Sequence, residues 1–102
     1  MNKRPGTSRQ ALEARSDFLE ARKLGWYGVL DRLTLTRAPC RVVRTDGTTT
    51  TCRVLRRDLF RVSVYWPHPE TGEPCHKTTA IGKFARANPE HFAQPALQDR
   101  EQ

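Results

Sequence analysis

At Cys40 the spacing of the apolar residues changes, and nothing else in the chain constrains its fold as much. Before that point Ala11, Ala14, Phe18 and Ala21 recur at three- and four-residue steps, flanked by Leu12 and Leu19. That is the period of one face of an amphipathic helix, and it predicts a helix over residues 8–23. Thr7 and Gln10 stand at capping-box spacing in front of it, and Gly25 stands where it would stop. Residues 1–6 read as disordered. A short second helix is predicted from Val29 to Thr36, with Val29, Leu30 and Leu33 on one side, before Pro39 imposes extended chain.

From Cys40 onward the period is two. Cys40 to Thr45 reads as a first strand and Thr48 to Arg56 as a second, joined at Asp46-Gly47, a pair whose backbone freedom suits a tight hairpin. After a short turn at Arg57-Asp58, Phe60, Val62, Val64 and Trp66 alternate with Arg61, Ser63 and Tyr65. The first set is expected in the core and the second outside. Residues 67–74, PHPETGEP, hold three prolines and a glycine and must be a loop. Cys75 to Ala80 and Ile81 to Phe84 are predicted as fourth and fifth strands, and beyond Arg86 the chain reads as a loose tail.

Helix first, then about five short strands, points to a mainly β fold with an N-terminal helix: a small five-stranded barrel of the Sm-like (SH3-like) kind. An OB-fold, the other small barrel that fits, places its helix between strands three and four. The expected division is an N-terminal extension at 1–27, the barrel at 28–86 and a flexible tail at 87–102. With 102 residues, of which 36% are apolar, the chain supports one domain with a lean core. Self-association is expected to add burial.

The charge is uneven. The net charge is +7 and the pI about 10.0. Residues 31–86 carry eleven Lys and Arg against five Asp and Glu, whereas residues 87–102 carry one against three. A basic, strand-rich middle predicts a polyanionic partner, nucleic acid before membrane. Cysteines stand at 40, 52 and 75, an odd number, and the start MNKRPGTSRQ has no apolar signal stretch. These features predict reduced thiols and a cytoplasmic protein. No apolar run approaches the ~20 residues of a membrane span.

Residues 29–64, VLDRLTLTRAPCRVVRTDGTTTTCRVLRRDLFRVSV, resemble the core of the bacterial Hfq/Sm-like RNA chaperones. Ala38-Pro39, Asp46-Gly47 and Arg57-Asp58-Leu59-Phe60 fall at that family's spacings without a gap, and Ala80-Ile81 within HKTTAIGKF matches a later segment. The chain departs from the pattern at Cys52, where the family bends its second strand at a glycine, at Leu59, at Val43, and at Thr78 and Thr79, which replace a basic pair. The resemblance implies a ring-like homo-oligomer, closed by edge-strand pairing, that binds single-stranded RNA as a chaperone or post-transcriptional regulator.

The residues themselves support a nucleic-acid surface. Eight of the ten charges in residues 32–61 are positive. Arg41, Arg44, Arg53, Arg56, Arg57 and Arg61 lie on or beside neighbouring predicted strands, interleaved with Phe60 and Tyr65. Guanidinium groups pair with phosphates and aromatic rings stack on bases. His76, Lys77 and Lys83 extend the set. Double-stranded DNA is a further candidate partner. The rival reading is an SH3-like protein-interaction module of a small phage- or plasmid-type protein. Zinc is not expected, because no Cys or His pair has ligand spacing. Nor is catalysis: no phosphate loop or nucleophile triad spacing is present, and no cofactor is implied.

Overall fold

The period-two region builds four strands. The computed structural model describes residues 9–95, apart from the side chain of Gln10. The expected disordered start, the capping Thr7 and residues 96–102 of the expected tail lie outside the described residues. The element order is α1 (Arg9–Leu24), α2 (Trp26–Thr36), β1 (Cys40–Val43), β2 (Thr49–Arg57), β3 (Arg61–Pro67), β4 (Pro74–Ala80) and α3 (Ile81–Ala87). The strands form one antiparallel sheet in chain order. No described helix is long and apolar enough to cross a membrane.

Gly25 separates the two N-terminal helices with φ of 75°, a left-handed conformation that glycine adopts without a Cβ penalty. The second helix starts at Trp26, three residues before the predicted Val29, and this brings Trp26 into the centre of the core. Its indole N–H donates to the Ala93 carbonyl at 2.6 Å. Trp26, Leu30 and Leu33 of α2 face Cys40, Val42, Cys52, Val54, Val62 and Val64 on the inner side of the sheet. Cys40 and Cys52 are buried and, as expected, so are Val62 and Val64.

The expected five-stranded closed barrel is corrected at its last strand. Residues 81–84 are the first turn of α3, and the sheet is open. Ile81, Phe84 and Ala85 are buried at three- and four-residue spacing, a helical period that two intervening residues hid. The fold is therefore mixed α/β: N-terminal helices, a four-stranded antiparallel sheet and a C-terminal helix. Asp17 of α1 accepts from the Gly82 N–H at 3.3 Å, meeting one of the amide donors that a helix start leaves unpaired. A Cβ on Gly82 would collide with that carboxylate.

Residues 87–95, read as tail, close the core. Phe92 is buried and meets Trp26 edge-on at 6.4 Å and Phe84 at 5.8 Å. Asn88 is fully buried. Its side-chain oxygen accepts from the Arg41 N–H at 2.7 Å, and its amide donates to the Arg41 and Phe84 carbonyls at 2.9 Å each. One side-chain amide thus pairs with both backbone groups of an edge residue, as a neighbouring strand would.

Candidate nucleic-acid interface

The register sorts the basic residues by face. Cys40 pairs with Cys52 and Val54 with Val64 on the inner side, so Arg41, Thr51, Arg53 and Tyr65 point outward. Arg53 pairs with Tyr65 and Tyr65 with His76, a row across β2, β3 and β4. Arg56–Ser63–Thr78 forms the next row, and Arg61 stands opposite Ala80. Arg53, Arg56, Arg61 and His76 are exposed, with Tyr65 half-buried between them.

A bulge decides which of two adjacent arginines joins this face. Between Val54 and Arg56 the register shifts by one residue, leaving Leu55 unpaired. Arg56 is thereby opposite Ser63 on the outer side, and Arg57 is opposite the buried Val62 on the inner side. There Arg57 grips both oxygens of Asp31, at 2.9 and 3.0 Å, and lies 4.7 Å from the Tyr27 ring centre. The hydrogen bond from Arg57 lowers the Asp31 pKa and raises that of Arg57. Arg41 is likewise engaged, at 2.6 Å from Glu90.

The two acids inside the basic segment serve the turns. Asp46 accepts from the backbone and hydroxyl of Thr48, at 2.9 and 2.7 Å, and Asp58 from the Phe60 and Arg61 N–H groups, at 2.8 and 2.7 Å. These hydrogen bonds hold both carboxylates below their ordinary pKa. Among the described residues, no carboxylate lies within ion-pair distance of Arg44, Arg53, Arg56 or Arg61.

β2 changes partner along its length. Thr49–Cys52 pair with β1, whereas the ladder to β3 begins only at Arg53 and Tyr65. Where the ladder stops, a cleft of about 500 Å³ opens, lined by Arg44, Thr50, Thr51, Cys52, Arg53, Tyr65, Trp66, Pro67 and Pro69. Trp66, expected in the core, packs on its margin and lines this cleft. Arg37, which no sequence pattern singles out, lies beside Tyr65. Its guanidinium lies 5.7 Å from the Tyr65 ring centre and donates to the Val54 carbonyl at 3.0 Å, while its own carbonyl accepts from Arg53.

The remaining candidates sit elsewhere. Phe60, expected in the core, is 47% exposed in the β2–β3 turn and lies tilted against Phe18 of α1, ring centres 5.8 Å apart. Lys77 is half-buried on the inner side, opposite Val64. Lys83 lies on α3 and lines a second cleft with Glu13, Ser16 and Asp17. Among the described residues, no three His, Cys, Asp or Glu side chains group as a metal site. No protein-family model, no curated protein and no solved structure matches the chain.

Proposed function

We propose that this chain binds single-stranded RNA across the outer face of its sheet. The observation that carries the reading is the set Arg53, Arg56 and Arg61, exposed on the outer face of the sheet with no carboxylate within ion-pair distance among the described residues. Tyr65 and His76 lie in the same rows and supply rings for stacking. Such a surface follows a flexible, negatively charged backbone and exposes its bases to aromatic side chains. A role as RNA chaperone or post-transcriptional regulator is the use this surface fits. Self-association belongs to the same proposal in narrower form. The backbone of Arg41 in β1 is already held by Asn88, so a second copy would pair along β4, where Pro74 and the inward-turned Lys77 limit what the edge accepts.

Binding of a labelled single-stranded RNA, followed by fluorescence anisotropy over a range of KCl concentrations, tests the reading. Each phosphate contact removed should flatten the slope of log K against log salt by about 0.7. Replacing Arg56 and Arg61 together by alanine should therefore lower it by about 1.4. An unchanged slope removes the outer face from the site. Tighter binding of duplex DNA than of RNA would turn the reading toward DNA.

One observation favours the rival reading of a protein-interaction module. Leu12 and Leu19, 59% and 52% exposed, flank Phe18 and Phe60 in an apolar groove of about 600 Å³ along α1. A chain that ignores nucleic acid at low salt would leave that groove as its working surface.

A further inference from the structure

The cleft at the end of the β2–β3 ladder brings aromatic rings, cations and hydroxyls together. Two ring systems, Tyr65 and Trp66, meet there with two guanidinium groups, Arg44 and Arg53, and the threonines Thr50 and Thr51. Neither the Tyr65 hydroxyl nor the Trp66 indole N–H has a hydrogen-bond partner among the described residues, in contrast to the indole of Trp26. Arg53 has one donor committed to the Arg37 carbonyl, out of the five a guanidinium carries. Successive residues of a strand alternate between faces, so the gap presents Arg53 and Tyr65 from the outer side and Trp66 from the inner side. A ligand that enters meets aromatic surface, unused polar hydrogens and positive charge together. The volume falls within the range of small-molecule sites.

We propose that this cleft is a pocket for one nucleotide, its base against the Tyr65 and Trp66 rings and its phosphate on Arg44 and Arg53. A planar base uses the rings and the indole N–H, and a phosphate uses the guanidinium groups of Arg44 and Arg53. Neither half of the lining alone calls for both. The inference deepens the RNA-binding reading and takes its ligand class from it: the pocket draws one base out of a strand whose backbone runs over Arg56 and Arg61. The same chemistry also admits a free nucleoside monophosphate.

The test is a titration of isotope-labelled protein with adenosine and uridine monophosphates, reading the two tryptophan indole N–H signals by NMR. The Trp66 signal should shift saturably and the buried Trp26 signal should stay in place. Removing the phosphate from the ligand, or replacing the exposed Arg44 by alanine, should weaken the response by about tenfold or more. Replacing Tyr65 by alanine should weaken it by about fivefold to a hundredfold. A Trp66 signal unmoved by either monophosphate, or moved equally by inorganic phosphate alone, overturns the pocket. If RNA still binds with a salt slope set by Arg56 and Arg61 while Trp66 stays still, the pocket falls and the outer face stands. If monophosphates bind and RNA does not, the pocket stands as a nucleotide site and the outer-face reading falls.

Discussion

Asn88 is the place where one substitution should cost most for its size. It is fully buried, and its amide makes three hydrogen bonds of 2.7, 2.9 and 2.9 Å. Asn88→Ala deletes all three and leaves the Arg41 N–H, the Arg41 carbonyl and the Phe84 carbonyl without that partner. An orphaned buried polar group costs about 1–3 kcal/mol. Arg41 lies at a sheet edge, so the low end applies to each group, and the sum is about 3 kcal/mol. For a domain of this size the midpoint should fall by about 12–24 °C in thermal unfolding followed by circular dichroism. Asn88→Asp keeps the acceptor for the Arg41 N–H and loses both donors, so it should also destabilise. Glu90→Ala breaks only an ion pair whose side chains are 46% and 45% exposed and screened by solvent, and should leave the melting point nearly in place. If Asn88→Ala melts within about 4 °C of the parent chain, the amide is not acting as the missing strand.

Other consequences follow from the same geometry. Gly82→Ala should gain nothing in the parent chain, where the new Cβ meets the Asp17 carboxylate, yet should stabilise an Asp17→Ala background by about 1 kcal/mol of helix propensity. Equal effects in the two backgrounds, measured by denaturant unfolding, would separate Asp17 from the start of α3. Burial pushes the Cys40 and Cys52 thiols up to about 11 and about 12. The unfolded chain ionises these thiols near ~8.5, so stability should fall steadily as pH rises from there through the folded values. A thiol reagent should label Cys75 in the native protein and all three cysteines after denaturation; rapid labelling of three in the native state contradicts the burial. Arg56→Ala should flatten the RNA salt slope by about 0.7 and leave the melting point in place. Arg57→Ala should leave the slope unchanged and cost about 1–2 kcal/mol, the ion pair with Asp31 plus the ring contact with Tyr27.

The local turns and strands could be read from the residues because their causes are local. Asp46-Gly47 makes its turn with Gly47 at φ 90° and Asp46 bonded to Thr48, chemistry that two adjacent letters announce. Val62 and Val64 alternate inward as their spacing predicts. The end of the chain was opaque for a different reason. Ile81 and Gly82 open α3, although a β-branched residue and a glycine are weak helix formers. What favours a helix there is the Asp17 carboxylate, sixty-five positions away in sequence. Asn88 and Phe92 looked like tail because their partners, Arg41 and Trp26, lie far upstream. The signal that could have found them was Phe92, a lone aromatic in a polar segment.

The candidate site was legible in composition and not in placement. Arg56 and Arg57 are neighbours with the same side chain, and no property of either tells which one faces solvent. The difference is made at Leu55, where one extra residue in β2 reverses the alternation and turns Arg57 toward Asp31 on α2. The cleft has a similar origin. β2 begins Cα pairing with β3 at Arg53, one residue after its last pair with β1 at Cys52, and the unzipped ends of the strands become its walls. The bulge and the change of partner both bend β2 and interrupt its ladder, and both would be faults in a strand whose task was only to hold a core. Here the two irregularities fall beside Arg53 and Arg56, which form no ion pair among the described residues, and beside the unbonded indole of Trp66. The distortion of β2 thus sorts its side chains, Arg56 to the outer face and Arg57 to Asp31, and it is at β2 that the proposed binding surface and the fold depend on the same residues.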